Sequence, residues 1–173
     1  MTCLGQRAGM CPSRGSACET LATVVRIAAL QPGEVAYVDY CLPLSRLDQQ
    51  AEERSTYLVA WDHHQPVGHA NIAWNGTHLG VPEIQDVFVL PERRGQGIGA
   101  QLTDAAEQEA RARGWEKISL SVSQDANVAA RNLYAKLGYV GSGVDPVRVS
   151  GVITLRGRPF EVDDTLVYLT KSL

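Results

Sequence analysis

The chain has 173 residues, of which 45% are hydrophobic and 20% are charged, and its formal net charge is −3 at pH 7. This length suits one domain with a sizeable core, and the composition is typical of a soluble globular protein. A pI of about 5.8 argues against a broad basic surface for nucleic acid, and charges such as Arg26 and Asp86 interrupt the apolar stretches, so no membrane span is predicted.

The first 22 residues are rich in Gly, Ser, Cys and Thr and have no helical or strand periodicity. This predicts a poorly structured extension at 1–22 and a domain at 23–173. Cys3, Cys11 and Cys18 lie in the extension without a C-x-x-C pair or a nearby His, which supports neither a metal site nor a disulfide framework. The extension also lacks the features of a secretory signal, so we expect a cytoplasmic protein.

Strands are predicted at residues 24–30, 56–61 and 66–74, and the last two form a hairpin with a four-residue loop, because β-rich runs flank residues 62–65. One or two short helices, interrupted at Pro43, are predicted between the first two strands, within residues 34–54.

The central part of the sequence predicts a strand, a loop, a helix, a second strand and a second helix. The first strand covers residues 83–90, and its helix begins near Ile98 and ends before Gly114, a suitable C′ residue. The second strand covers residues 115–122, and its helix is capped by Asp125 or Asn127 and ends at Gly138.

Strands follow from Tyr139, with a turn at residues 156–159 and a last strand at 165–170. This order of elements predicts an α+β fold, a mixed α/β sandwich in which helices cover a mixed sheet.

The loop Arg94-Gly95-Gln96-Gly97-Ile98-Gly99 leads into the first of these helices. Backbone N–H groups at a helix N-terminus have no intrahelical partner, and the helix dipole adds partial positive charge, so such a position binds phosphate. The three glycines permit positive φ and close approach of a ligand, and Arg93 and Arg94 add charge.

Other interpretations of this loop are weaker but stay open. No Lys follows the glycines, which excludes a Walker loop. The residues from Gly95 to Ala100 satisfy a looser G-x-G-x-x-A dinucleotide pattern, but Ser123 and Gln124 stand where that motif needs a ribose-binding acid. A tight turn without a ligand is the remaining alternative.

Two linked motifs give the sequence a resemblance to the GNAT superfamily of acyl-CoA-dependent N-acyltransferases. Arg94, Gly97 and Gly99 match its [RQ]-x-x-G-x-[GA] signature, and residues 127–139 resemble its N-x-x-A-x-x-L-Y-x-x-x-G-[FY] segment, with Asn127 and Tyr134 at the matching positions. The resemblance covers residues 24–173 and implies a mixed, largely antiparallel sheet with a splayed strand pair.

The resemblance further implies that acetyl-CoA is the cosubstrate and that its diphosphate lies on the glycine loop. The backbone of one strand would bind the pantetheine arm as an added strand, Asn127 would hydrogen-bond the same arm, and Tyr134 would protonate the departing thiolate. The implied cofactor-binding residues are Val87, Phe88, Val89, Arg94, Gly95, Gln96, Gly97, Ile98, Gly99, Ala100, Asn127 and Tyr134.

The general base is less specified by the resemblance. Glu83 lies where several members carry a catalytic carboxylate, and Asp86 is the next acid, but strand alternation predicts that these two face opposite sides of the sheet. Ser121 stands where some protein-modifying members carry a Glu, so a water chain is an alternative base. The four histidines are expected at the surface, and no metal is implied.

The expected activity is therefore acetyl transfer from acetyl-CoA directly to an amine of a small molecule, peptide or protein. The alternative is a non-catalytic acyl-CoA-binding module. Family members often form dimers through terminal strands, so the resemblance is compatible with a homodimer, whereas no pattern identifies the acceptor.

Overall fold

The computed structural model describes residues 25–45, 47, 54–125, 128–155 and 158–173. The predicted N-terminal extension, most of residues 46–53 and Asn127 lie outside these ranges, so the predictions made for them stay predictions, as do the homodimer and the cytoplasmic location. Within the described ranges, no helix is long and apolar enough to cross a membrane.

Eight strands form a single mixed sheet with the order β1-β2-β3-β4-β5-β8-β6, and β7 pairs with β8. All pairs are antiparallel except β4 with β5, which confirms the predicted mixed, largely antiparallel sheet. The strands are β1 (Arg26–Ala29), β2 (Ser55–Asp62), β3 (Gln65–Ala73), β4 (Glu83–Val89), β5 (Lys117–Ser123), β6 (Val140–Gly141), β7 (Val147–Leu155) and β8 (Arg158–Ser172).

The described helices are α1 (Val35–Cys41), α2 (Ile98–Ala112) and α3 (Val128–Lys136), and short 3₁₀ turns cover Pro32–Glu34 and Pro91–Arg93. Helix α2 buries Leu102, Ala106 and Ala110 completely, because they share one face at helical spacing. It ends as predicted, with Gly114 at φ 81° directly after the C-cap residue.

Two hydrophobic cores lie on opposite faces of the sheet. The larger joins the strands to α2 and α3 and includes Ile72, Ile84, Leu102, Leu120 and Tyr134. The smaller lies under α1 and includes Val38, Leu42, Tyr57, Val59 and Trp61. Helices therefore cover both faces, and the predicted α/β sandwich is confirmed.

Two boundaries differ from the sequence-based expectation. The β2–β3 hairpin has a two-residue loop, His63 and His64, because Asp62 and Gln65 still pair; His63 adopts the positive φ of 55° that such tight turns require. Strand β8 is much longer than residues 165–170, because β7 pairs with its first half and β5 with its second.

The sheet opens between β4 and β5. These strands pair only at Glu83 with Ser119 and at Ile84 with Leu120. Beyond that point β4 carries a bulge. Gln85 pairs with Asn71 and Phe88 with His69, so two residues of β4 lie between these pairs where β3 has only one. Asp86 lies in this bulge at φ 50°. Since a bulge bends and twists its strand, the ends of β4 and β5 diverge and leave a cleft.

Gly68 provides a test of the packing beside this cleft. A Cβ at Gly68 would lie 2.8 Å from the Phe88 carbonyl oxygen, 3.3 Å from Val89 Cγ2 and 3.4 Å from Leu102 Cδ1. Gly68→Ala should lower the free energy of unfolding by about 1–3 kcal/mol, because the β4 backbone at Phe88 must shift away from the added Cβ. Chemical denaturation would measure this.

The matched control is Gly33→Ala, since Gly33 is exposed and a Cβ there meets nothing within 4 Å. Equal stability of the two variants would contradict the proposed close packing.

Candidate functional site

The glycine loop delivers a set of backbone donors to one end of the cleft. Gly97 is the N-cap of α2 with φ 80°, and intrahelical bonding begins at the Gln101 N–H, which donates to the Gly97 carbonyl at 3.1 Å. The N–H groups of Ile98, Gly99 and Ala100 thus have no partner within the helix, which is the arrangement that binds anions. Gln96 instead turns its side-chain amide back to the Glu92 carbonyl, at 3.3 Å.

These donors open into a cavity of about 650 Å³ between β4, the loop, α2 and α3, called here the loop cavity. Its described lining includes three cationic side chains, Arg93, Arg94 and Lys136, and no acidic one. Among the predicted cofactor-binding residues, this cavity brings together Val87, Phe88, Val89, Arg94, Gly95, Gly97, Ile98, Gly99, Ala100 and Tyr134. Gln96 does not line it, and Asn127 lies outside the described residues.

Helices α2 and α3 both border the loop cavity, with Gly99 and Leu133 among its lining residues. A Cβ at Gly99 would lie 3.4 Å from Leu133 Cδ2, an ordinary van der Waals contact. The loop is further tied to β4 because Arg94 Nε donates to the Val89 carbonyl at 3.0 Å. The predicted strand-loop-helix unit is thereby held as one piece.

A second cavity, of about 610 Å³, lies in the opening between β4 and β5 and is called here the acidic cavity. It is bordered by β4, β5, β8 and the loop before β4, and it shares Val87, Ala130 and Tyr134 with the loop cavity. Its lining is Gly76, Thr77, His78, Glu83, Ile84, Gln85, Asp86, Val87, Ser121, Val122, Ser123, Ala130, Tyr134, Leu166 and Tyr168.

Tyr134 stands at the border of the two cavities. Its side chain is 5% exposed and packs edge-to-face on Tyr139, with ring centroids 5.7 Å apart. Burial raises the pKa of Tyr134 from 10.0 to about 12, because the tyrosinate is poorly solvated there. The hydroxyl therefore stays protonated at neutral pH, and it has no hydrogen-bond partner within the described part of the chain.

Glu83 lies in the acidic cavity and is 4% exposed. Ser121 Oγ donates to its Oε1 at 3.0 Å. A residue of β5 therefore orients the carboxylate just beyond the point where β4 and β5 stop pairing. Its charge is also one cause, after burial, of the raised pKa of Tyr168. The sequence therefore selected a carboxylate that is buried and oriented, and that lines the same cavity as Tyr134.

The expectation that Glu83 and Asp86 face opposite sides is wrong, because both line the acidic cavity. The bulge at Asp86 interrupts the alternation of side chains along β4. Tyr57 donates a 2.6 Å hydrogen bond to Asp86 Oδ2, and the Ser45 N–H donates to the same oxygen at 3.1 Å. Sequence reasoning missed these two partners, since they come from distant parts of the chain.

His69 also departs from the sequence-based expectation, because it is completely buried rather than on the surface. Its Nε2 lies 3.2 Å from the Pro43 carbonyl oxygen, and its ring stacks on Phe88 with centroids 5.7 Å apart. Its Nδ1 lies 4.0 Å from Asp86 Oδ2. His69 therefore packs against residues of the β4 bulge and does not contact solvent.

Alternation along β5 places three serines on one face. Ile118, Leu120 and Val122 belong to the larger core, so Ser119, Ser121 and Ser123 face the other side. Ser123 Oγ donates to Asp164 Oδ1 at 2.8 Å. The Ser-Leu-Ser-Val-Ser pattern at residues 119–123 is the sequence signal for this row of serines, which sequence reasoning did not interpret as one polar face.

Together the two cavities can hold an anionic cofactor on one side and a cationic or neutral molecule on the other, with Tyr134 between them. In the described ranges, no group of three or more His, Cys, Asp or Glu residues could hold a metal ion.

Comparison with known proteins agrees with this geometry. The family described as the Acetyltransferase (GNAT) family matches residues 24–139, more than half of the chain. Streptothricin acetyltransferase of Escherichia coli is 31% identical over 121 residues, which are 70% of this chain and 64% of that protein. Aminoalkylphosphonate N-acetyltransferase of Salmonella typhimurium is 45% identical over 71 residues, 41% of this chain and 40% of that protein. The chain thus spans less than two thirds of either relative.

The fold comparison extends further along the chain. A GNAT family acetyltransferase from Elizabethkingia anophelis, solved with acetyl-CoA bound, superimposes with a TM-score of 0.63 at 18% sequence identity. The match covers 86% of this chain and 98% of that one. It shows that the two proteins share a fold.

The buried phenol of Tyr134 predicts a specific loss of stability in alkali. The pKa of Tyr134 in the folded protein lies above the unfolded value of 10.0. Its contribution to the free energy of unfolding, on the order of 2–3 kcal/mol, is therefore fully present below pH 10 and is lost as the pH rises towards about 12. Denaturant unfolding across this range should show a steeper fall for the wild-type protein than for Tyr134→Phe. The other tyrosines are present in both proteins, so only Tyr134 can make the two plots of unfolding free energy against pH differ in slope. Parallel plots would contradict the raised pKa of Tyr134.

Proposed function

The chain belongs to the acetyltransferase (GNAT) family, and we propose that it transfers an acetyl group from acetyl-CoA directly to an amine. One observation carries this proposal: Tyr134 borders both a cavity with cationic residues and helix-terminal amides and a cavity with buried carboxylates. A thioester in the first cavity and an amine in the second would meet beside this residue. The names of the two relatives, both acetyltransferases and one of them an N-acetyltransferase, support the same reaction.

The loop cavity is proposed to hold the coenzyme. The amides of Ile98, Gly99 and Ala100 and the Arg94 side chain fit a diphosphate, and Gly97, which adopts positive φ as the N-cap and has no Cβ, lets it approach the backbone. After Ile84, none of the described strands pairs with β4 on the β5 side. The backbone of Val87, Phe88 and Val89 is therefore available to an extended pantetheine arm. Asn127 and Gln96 remain proposed contacts of the same coenzyme.

The acidic cavity is proposed to receive the amine. Glu83 is the proposed base: it would take a proton from the ammonium group, so that the neutral amine can attack the thioester carbonyl carbon. A new C–N bond forms and the C–S bond breaks; the attacking nitrogen loses its second proton, and the departing sulfur takes up a proton from that nitrogen or from solvent. No covalent enzyme intermediate is needed, and Cys41 is not required as a nucleophile.

Tyr134 is proposed to act at the departing sulfur. A thiol has a pKa of about 8.5, so complete transfer of a proton from a phenol with a pKa of about 12 would be uphill by roughly 5 kcal/mol. Donating a hydrogen bond while negative charge develops on sulfur has no such penalty and stabilises the transition state. The raised pKa thus favours Tyr134 as a donor that retains its proton.

The direct test is release of coenzyme A thiol from acetyl-CoA in the presence of a panel of amines, with mass spectrometry to detect the acetylated product. We expect thiol release that depends on both the protein and the amine. Tight binding of acetyl-CoA without turnover on any amine would instead favour a non-catalytic acyl-CoA-binding module.

For Tyr134→Phe we expect kcat to fall about 10- to 100-fold, the usual effect of removing a hydrogen bond to a charged group. The Kd for coenzyme A, measured by calorimetry, should change by less than about threefold, because the lost bond forms mainly in the transition state. Tyr40→Phe is the matched control, since Tyr40 is 89% exposed on α1. An unchanged kcat in Tyr134→Phe would remove this residue from the proposed role.

A further inference from the structure

Glu83 and Asp86 line the acidic cavity, and Asp164 lines a neighbouring cavity. In each of these three carboxylates, one oxygen accepts hydrogen bonds from the described residues and the other does not. Glu83 Oε1 accepts from Ser121, and Asp86 Oδ2 accepts from Tyr57 and the Ser45 N–H. Asp164 Oδ1 accepts from Ser123 Oγ at 2.8 Å and from the Thr165 N–H at 2.7 Å. The second oxygen of each has no hydrogen-bond partner within the described residues.

Several other acids in the described ranges form ion pairs, whereas these three have no Lys or Arg partner there; His69 Nδ1 lies 4.0 Å from Asp86 Oδ2. Asp62 pairs with Arg93, Glu107 with Lys171, Glu109 with Arg113 and Asp163 with Arg148. In the part of the chain that the structure describes, Glu83, Asp86 and Asp164 have no Lys or Arg nitrogen within 4.0 Å. Glu83 is only 4% exposed. A buried carboxylate without a counter-charge favours a cationic ligand.

Serines of β5 hold two of these carboxylates. Ser121 holds Glu83 and Ser123 holds Asp164, and the two serines lie on the same face two residues apart, about 7 Å along the strand. Glu83 lies on β4 and Asp164 on β8, the strands on either side of β5, so the two carboxylates are separated by about 7 Å or more. Ser123 lines both the acidic cavity and an adjoining cavity of about 720 Å³ that contains Asp164. The two anionic positions therefore lie in neighbouring cavities that share Ser123.

We propose that the acceptor is a dicationic amine, in which Glu83 and Asp86 receive the reacting ammonium group and Asp164 binds a second cationic group about 7 Å or more away. This inference rests on the proposed acetyl transfer and specifies its substrate class. The carboxylates do not converge as a metal site, because no metal-binding group of three or more ligands occurs in the described residues. An amine with an anionic tail would be repelled by Asp164.

Matched acceptors test the second charge. They are 1,5-diaminopentane, 1-aminopentane, 5-aminopentanol and 5-aminopentanoate, which differ mainly in the group distal to the reacting amine. We expect kcat/KM for the diamine to exceed that for the amine and the amino alcohol by about 10- to 100-fold, the effect of a hydrogen bond between charged groups. The amino acid should be the poorest acceptor.

A pair of neighbouring substitutions tests the residue. Asp164→Asn keeps an oxygen that can accept from Ser123 and the Thr165 N–H but removes the charge. It should lower the ratio of kcat/KM for diamine over amino alcohol by about tenfold or more, mainly through KM for the diamine. Asp163→Asn removes the same charge from the next residue, which already pairs with Arg148, and should leave the ratio within about twofold.

The possible outcomes separate the two proposals. Equal use of the diamine, the amine and the amino alcohol would overturn the dicationic acceptor while leaving acetyl transfer intact, and so would equal effects of the two substitutions. Thiol release with none of the amines would overturn acetyl transfer. Calorimetry with 1,5-diaminopentane and the coenzyme A complex then decides the inference separately: binding weakened by Asp164→Asn supports it, and no binding overturns it.

Discussion

The loss of pairing between β4 and β5 after Ile84 is the constraint on which the site depends. Asp86 produces it by occupying a left-handed conformation at φ 50° inside the bulge, a conformation that Asp tolerates better than most residues. The bulge turns Asp86 into the acidic cavity, where Tyr57 and the Ser45 N–H hold it. The same distortion leaves the backbone of β4 available to a ligand. One irregular residue therefore supplies both the cleft and part of its chemistry.

The two cavities that meet in this cleft have opposite electrostatic character. Arg93, Arg94 and the N-terminus of α2 give the loop cavity positive potential, whereas Glu83 and Asp86 give the other cavity negative potential. This separation suits a reaction between an anionic coenzyme and a cationic amine, because each substrate is attracted to its own side. Tyr134 lies at the boundary, and burial raises the pKa of its phenol so that it stays uncharged at neutral pH.

The surrounding packing fixes the elements that border the cleft. Helix α2 buries a continuous face against the sheet. Lys171 on β8 forms hydrogen bonds of 2.7 and 2.9 Å with the buried Glu107 carboxylate on α2. Since β8 pairs with β5 along seven residue positions, this contact ties one side of the cleft to the helix whose N-terminus forms the other side. Strands and helix thus fix the distance across which the two substrates would react.

The sequence alone determined the features that depend on residues close together along the chain. The periodicity of α2, its termination at Gly114, the glycine loop and the position of Tyr134 follow from local spacing and from motif resemblance, and the structure bears out their placement. Tertiary structure alone decided which carboxylates share a cavity. Regular alternation assigned Glu83 and Asp86 to opposite faces, but contacts with β2, β3 and the segment after α1 stabilise a bulge that no local pattern encodes. Likewise, Asp164 joins Ser123 across 41 residues of sequence, because strand pairing brings together side chains that spacing along the chain cannot relate.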